Sequence, residues 1–531
     1  MNEARQPFDL IIVGGGISGA CLLWDSTLRG MNVLLLEKND FASGTTQATS
    51  KLIHGGLRYL KNFEFGLVRE SLRERRILAR LAPHSIRPMP FLHPIYKNSK
   101  PGRFVFAIGL WLYDLLSFDR NRGVPRHLRL PRHRWLSRQE ALQTEPSLHA
   151  DGLQGAYVYY DYQNVNPERL CCDIIFSAVE RGAQAQNYTQ VKEISRDPLS
   201  GIHTVSGLNS DGAMVNFRSR SVINAAGPWA DMIGRADSSF AKKRIVRSMG
   251  IHLITQNLVG EQTVVLHRKD GSHFFIVPWR NYSLIGTTDS VYEGHPDQFK
   301  IPESEIQGLL DDVAHGLNIK LKRSDVLSVY GGLRPLVEES RAVKNHDSYS
   351  KSRKTEIETD PGRPGYFSVL GGKYTTSRHL AEQTIDRVAE FLGGTFKPCV
   401  TANTPLRTGD FESQTILKQK LFLEKQYSRR RIETMISRYG LLAERMLSPE
   451  DKVVATLDNG EEYFGTEIAT ILKTEMVRNP SDLLLRRTGL GTAGQSFEKI
   501  LETNRKARIR LALRAAIATR KQYSRAVRIA G

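Results

Sequence analysis

The chain reads as an α/β protein. A doubly wound dinucleotide-binding domain is interleaved with an antiparallel-sheet substrate domain, and a helical domain follows. Three observations predict this. A glycine turn joins two short apolar runs at the start of the chain. Four β-type runs crowd between Gly250 and Gly294. Beyond about residue 399 the patterns are helical. At 531 residues there is room for more than one domain, and 40% hydrophobic and 25% charged content is ordinary for a globular protein.

The first element is "FDLIIVGGGISGACLLWDSTLRGMNVLLLEKND". Leu10 to Val13 is a short strand, Ser18 to Arg29 a helix, and Met31 to Leu36 a second strand. Together they form a βαβ unit of about thirty residues, the context in which glycines at Gly14, Gly16 and Gly19 acquire meaning. Gly14 permits the tight turn, Gly16 lets a pyrophosphate approach, and Gly19 lets helix and strand pack. The pyrophosphate then meets the N–H groups of Gly15 to Ser18 at the helix start, Ile17 included. Glu37, followed by Lys38, ends the second strand, where a carboxylate accepts hydrogen bonds from ribose. NAD and FAD both fit such a unit.

Next comes "ASGTTQATSKLIHGGLRYL", rich in small and hydroxyl residues, before a helix over Glu64 to Leu81. Thr45, Thr46, Ser50, Lys51 and Leu52 are placed to pass close to a cofactor; a capped loop is the bland alternative. Pro88 to Tyr96 is β-like, and Arg103 to Phe118 is strongly apolar. A later strand ends at "NAAGPW", where Ala226 and Gly227 allow close approach of a ligand. "GYFSVLGGKYTTSRHLAE" repeats the strand–glycine–helix design, with Gly372, Lys373 and Thr375 at a helix start that favours negative charge.

The net charge of +19 predicts attraction to something acidic. Four cysteines without metal spacing predict neither a metal site nor a disulfide framework, and favour a reduced compartment. No apolar run spans a bilayer, and "MNEARQPFDL" lacks the apolar centre of a signal peptide.

The blocks "GGGISGA", "TSKLIHGGLRYL", "IVPWRNYSLIGTTDS", "YGGLRPL" and "GGKYTTSR" resemble the FAD-dependent, membrane-associated glycerol-3-phosphate dehydrogenases. The resemblance runs from Asp9 to about Glu382 and resumes weakly at "ILKTEMVRNPSDLLLRRTGLG". It implies noncovalent FAD, oxidation of sn-glycerol 3-phosphate to dihydroxyacetone phosphate, and electron transfer to a quinone. The domain split expected is 1–80, 145–245 and 326–398 for FAD, 81–144 and 246–325 for the substrate-side cap, and 399–531 for the helical domain.

A phosphate dianion calls for arginine, whose planar fork matches its oxygens. Arg58 and Arg334 each follow Gly-Gly-Leu, and the resemblance places both near the flavin, with Tyr59 adding a hydroxyl. His252, in "MGIHLI", matches a histidine of the family's substrate-side sheet and suits proton transfer near neutral pH. Relatives commonly carry a hydroxyl residue just before it; here Ile251 stands there. Lys373 is the other candidate base, or a fixed cation beside the ring. Thr287, Thr288 and Asp289 read equally as a polar strand end. Asp161 and Asn166 receive no catalytic role, and Trp229 and Trp279 are expected in the core.

Rival readings are the oxidase branch, which uses oxygen, an amine or amino-acid oxidase of the same fold, and a basic protein that binds polyanions through its arginine-rich tail from Asn504 to Gly531. Nucleic acid is not an expected partner, and a homodimer stays open. Peripheral attachment to an anionic membrane surface, on the cytoplasmic face, is expected through Phe104, Phe106, Leu110, Trp111 and Leu115. The basic residues Arg120, Arg122, Arg126, His127, Arg129, Arg132 and Arg134 follow them. Ile509, Leu513 and Ile517 make a weaker second anchor.

Overall fold

The computed structural model describes residues 6–233, 245–268, 270–337, 355–424, 426–457 and 460–494. The chain divides into two compact units between Leu406 and Arg407. The first contains two large sheets.

In one sheet, β1 (Phe8–Val13) and β2 (Val33–Leu36) run parallel, joined through helix α1 (Ile17–Leu28). The strand Met214–Asn224 pairs with the other edge of β1, Tyr366–Leu370 lies beyond it, and Gln184–Gln186 extends the sheet past β2. Near-continuous apolar runs suit strands covered on both faces. Helix α1 packs against helices Pro167–Val179 and Ser377–Leu392. On the opposite face Ile11, Val13, Leu34 and Leu36 cluster with Ile194 and Val205. Those two come from antiparallel strands Gln190–Arg196 and His203–Leu208, so a meander covers that face.

The second sheet has ten strands. Ile245–Gln256 lies between Tyr282–Gly286 and Val326–Val337, with His273–Trp279 and Thr263–His267 further along. All pairs are antiparallel except Thr263–His267 against Ile86–Tyr96. Here the expected boundaries move. Leu52–Ile53, Leu153–Asn164 and Val326–Val337 belong to this sheet, although their sequence positions fall inside the expected FAD segments. The reason is that a strand's own residues specify its faces, while its neighbours come from distant parts of the chain.

Two helices cross beside this sheet, α2 (Phe65–Leu81) and α3 (Arg103–Leu116). The apolar face of α3 departs from expectation. Leu110 is only 1% exposed, and Phe106 stacks on His93 with ring centroids 4.2 Å apart, so both point inward. Outward stand Phe104 (81% exposed), Val105, Ile108 (68%), Trp111 (67%) and Leu115, continued by Phe118. Arg120 also departs: it pairs with Asp114, whereas Arg122, Arg126, His127, Arg129, Arg132 and Arg134 are exposed. Trp279 is buried, but Trp229 is only half-buried, and its Nε1–H donates to Asp297 at 2.8 Å. Among the described residues no helix is long and apolar enough to cross a membrane.

The second unit holds helices Phe411–Leu423, Arg429–Tyr439 and Gly465–Thr474. The expected helical stretch from Glu412 to Tyr439 is two helices, because Ser428 caps a new start by accepting the Arg431 N–H at 3.2 Å. A small hairpin, Val453–Thr456 with Glu462–Phe464, is an addition that the helical pattern did not announce. The expected helix over 496–528 lies outside the described residues, as do the basic tail and the anchor of Ile509, Leu513 and Ile517.

Candidate active site

The glycine turn has the shape expected of a dinucleotide cradle. A Cβ on Gly14 (φ 114°) would lie 2.5 Å from the Ala225 carbonyl oxygen, so the turn is pressed against the strand end that carries Ala226 and Gly227. Helix α1 starts at Gly16 without a side-chain cap or an acid in its first turn. The Ile17 N–H donates to Thr46 Oγ1 at 3.0 Å, which leaves the neighbouring helix-start donors for an anion. Glu37 accepts the N–H groups of Gly15 (2.6 Å) and Asn39 (2.9 Å), while burial raises its pKa. A carboxylate retains further acceptor capacity for a ribose. The second glycine turn leads into helix Ser377–Leu392, which also lacks a side-chain cap and an acid in its first turn.

Arg334 lies on the strand Val326–Val337, directly opposite Ser248. Its guanidinium donates to Ser248 Oγ (3.0 Å), Thr287 Oγ1 (2.6 Å) and the Thr288 carbonyl (3.0 Å), with Asp289 at 3.5 Å. The polar strand end "GTTDS" is thus the seat of this arginine. Gly250 makes room for it, since a Cβ there would meet Arg334 Nη2 at 2.1 Å.

His252 is buried on the adjacent strand, stacked on Tyr330 at 5.0 Å between centroids. Burial, then the cations Arg334 and Lys51, hold its pKa well below the ordinary histidine value. A neutral imidazole results at neutral pH. Its Nε2 lies 2.9 Å from Ser50 Oγ, and its Nδ1 has no hydrogen-bond partner among the described residues. Ser50 therefore supplies, from 202 positions away, the hydroxyl partner that Ile251 cannot.

Arg58 and Tyr59 lie on a 3₁₀ turn, Leu57–Asn62, entered through Gly56 at φ 74°. The Arg58 guanidinium lies over the Tyr59 ring at 5.0 Å, and the Lys373 ammonium approaches the same ring at 3.9 Å. Lys373 Nζ also donates to Ser71 Oγ at 3.4 Å. Lys373, remote in sequence, thus joins the adjacent Arg58 and Tyr59 in one group.

Comparisons with known proteins identify the family. The family model described as "FAD dependent oxidoreductase" matches residues 9–378. The chain belongs to the FAD-dependent oxidoreductases. A second model, "C-terminal domain of alpha-glycerophosphate oxidase", matches residues 399–504. A glycerol-3-phosphate dehydrogenase from Synechocystis sp. is 32% identical, covering 92% of this chain and 90% of its own. An aerobic glycerol-3-phosphate dehydrogenase from Staphylococcus aureus is 31% identical, covering 92% and 88%. The solved glycerol-3-phosphate dehydrogenase from Bacillus halodurans, complexed with FAD, superposes with a TM-score of 0.74 at 25% identity, covering 98% of this chain and 93% of its own.

Within this FAD-dependent oxidoreductase, some expected cofactor residues already have side-chain partners. The Lys51 ammonium is buried and pairs with Glu168 at 2.9 Å. Lys38 pairs with Asp297 at 2.5 Å and lies 4.0 Å over the Trp229 ring. Leu52 is buried in a strand. Thr45 donates through Oγ1 to the Leu333 carbonyl at 2.5 Å, tying the hydroxyl-rich loop to the Arg334 strand. Thr375 is buried, next to the start of helix Ser377–Leu392. Asn166 caps helix Pro167–Val179 by accepting the Arg169 N–H. Sequence reasoning missed Ser248, Glu168 and Asp297. Each acts only through a partner brought from elsewhere, and none lies in a motif that signals it.

Proposed function

We propose that this enzyme oxidises sn-glycerol 3-phosphate to dihydroxyacetone phosphate and passes the electrons to a quinone at an anionic membrane surface. The observation that carries the reading is that Arg334 and His252 stand on paired strands of one sheet, Arg334 opposite Ser248 and His252 opposite Tyr330. A guanidinium held by Ser248, Thr287 and Thr288 stands close enough to a neutral imidazole to depress its basicity. Oxidation of a phosphate-bearing secondary alcohol needs such a cation beside such a base. The names of relatives that are 31–32% identical over nearly the whole chain support the same substrate.

In this reading Gly14, Gly15, Gly16, Glu37 and the α1 start hold the dinucleotide part of FAD. Gly372, Lys373 and the following helix start face its ring. Bound FAD supplies the hydride acceptor. Arg58 and Arg334 clamp the phosphate, with Tyr59 and Lys373 completing the cationic side. His252 takes the hydroxyl proton, and Ser50 orients its ring through the bond to Nε2. Lys373 is the second candidate for the base, and His252→Gln against Lys373→Met in rapid flavin reduction separates them.

Membrane attachment is part of the proposal. The outward face of α3, with Phe104, Ile108 and Trp111, is continued by exposed Phe118, and Phe63 is exposed as well. Exposed arginines follow it in sequence, an arrangement suited to the interface of an anionic bilayer. Attachment on the cytoplasmic side follows if the acceptor and its membrane are there.

A second reading keeps the substrate and sends the electrons to oxygen; the oxidase name of the matched C-terminal model favours it. Anaerobic titration decides. Glycerol 3-phosphate should bleach the flavin, and added quinone should restore its colour far faster than air. Faster recovery in air makes the chain an oxidase, and no bleaching removes the substrate assignment.

A further inference from the structure

The turn that carries Arg58 lacks the strand neighbours that hold Arg334. What holds it is a buried polar network from three other elements. The Gly55 N–H donates to Tyr113 Oη at 3.0 Å and to Asp161 Oδ1 at 3.2 Å. Tyr113 Oη lies 2.9 Å from both oxygens of Asp161. The Arg75 guanidinium pairs with the same carboxylate and donates to the Tyr160 carbonyl at 3.2 Å. Tyr113 comes from α3, Arg75 from α2 and Asp161 from the strand Leu153–Asn164. All three are buried.

There is no slack at this point. A Cβ on Gly55 would lie 2.4 Å from Tyr113 Oη and 2.3 Å from Leu72 Cδ2. Tyr113 also packs in one apolar cluster with Tyr59, Val68 and Leu72. The hydroxyl and the ring of one residue thus fix both ends of the short segment that contains Arg58. A buried ion pair is a poor source of net stability, because desolvation offsets its attraction. Its value lies in geometry: one carboxylate receives donors from Arg75, Tyr113 and Gly55, so those three groups keep a single arrangement.

We infer that Tyr113, Asp161 and Arg75 are positioning residues for phosphate binding, acting through the Gly55 turn on Arg58 and Tyr59. This rests on Arg58 being part of the phosphate clamp. A guanidinium fork tolerates little displacement before a bidentate contact becomes single.

The decisive variant is Tyr113→Phe in the full-length, FAD-loaded protein. It removes one hydroxyl, keeps the ring in its cluster and leaves Arg75 paired. The KM for glycerol 3-phosphate should rise about tenfold with kcat changed less than about twofold. The Kd of inorganic phosphate, measured by calorimetry, should rise in parallel. Asp161→Asn should act in the same direction. A lower melting temperature with unchanged KM and phosphate Kd means that the network serves stability alone, and overturns the inference. Arg58→Gln is the control on the underlying reading. If it leaves the phosphate Kd unchanged, the clamp assignment falls and the positioning claim falls with it. If it weakens phosphate while Tyr113→Phe does not, only the positioning claim is lost.

Discussion

The tetrapeptide Gly-Gly-Leu-Arg occurs at Gly55–Arg58 and again at Gly331–Arg334, and the two copies fold differently. The second lies flat in the strand Val326–Val337, every residue opposite one of Ile245–Gln256. Its arginine is held by Ser248 of that facing strand and by Thr287 and Thr288 just beyond the end of the strand Tyr282–Gly286. The first bends into a 3₁₀ turn through a left-handed glycine, and its support comes from Tyr113 and Asp161 outside the turn. Four identical residues therefore encode a chemistry, a cation on a thin backbone, without encoding the structure that presents it. The sheet copy is rigid through its own ladder. The turn copy is rigid only as far as α3 and Asp161 hold it.

The two copies are separable by experiment. The largest effect is expected for Arg334→Ala. Losing a charged partner from a desolvated dianion should cost on the order of 3 kcal/mol, about 10²-fold in kcat/KM for glycerol 3-phosphate. Glycerol itself should be affected little, and equal losses for both substrates would show general damage instead. Such damage would break the comparison, because the sheet copy would then be structural.

Gly250→Ala tests the seat without removing the arginine. The new methyl would displace the end of a flexible side chain, so folding should survive with a melting shift of about 2 °C or less. The displaced fork should lower kcat/KM about tenfold. No kinetic change would mean that the seat observed for Arg334 is not the one used with substrate.

The support of the turn copy has two faces, and the outer one is testable alone. Replacing Phe104, Ile108 and Trp111 with serine spares Leu110 and Tyr113 on the inner face. Binding to anionic liposomes should fall at least about tenfold, and turnover with a membrane quinone should fall with it. Flavin reduction by substrate in solution should not change. Unaltered liposome binding in a folded variant would remove α3 as the anchor.

The smallest effect is a shift in pH dependence. His252 has a depressed pKa caused by burial first, then by Arg334 and Lys51. A depressed histidine stays neutral, and able to accept a proton, down to lower pH. Arg334→Gln removes one depressing cation, so the pKa rises and the acidic limb of kcat/KM should move to higher pH. The cations that lower the His252 pKa are Arg334 and Lys51, so Arg58→Gln should move the limb less than Arg334→Gln does. Equal shifts in both variants would erase this distinction between the copies.

Much of the fold was legible in the sequence because it rests on local periods. The βαβ unit around Gly14, the strands between Gly250 and Gly294, and the helix before Leu81 each repeat their apolar residues at the spacing of their own structure. The apolar character of α3 was equally plain. Which of its residues turn inward was not, since a helix apolar over so much of its surface does not reveal which side a neighbour covers. Phe106 and Leu110 face His93 and the interior, while Ile108 and Phe118, unremarked in the sequence, stand outside.

What the sequence alone determined is the inventory: a dinucleotide turn, two arginines after paired glycines, a histidine in a strand, and an apolar helix followed by arginines. Each is written in neighbouring residues, because backbone preference and apolar period are short-range properties. The tertiary structure alone decided the partnerships. Ser50 meets His252 across 202 residues, Lys51 meets Glu168 across 117, and Gly55 meets Asp161 across 106. Strands Leu153–Asn164 and Val326–Val337 likewise join the second sheet by pairing with remote strands. A hydrogen bond or an ion pair needs atoms within a few ångströms, and distance along the chain carries no information about distance in space until the sheets have paired.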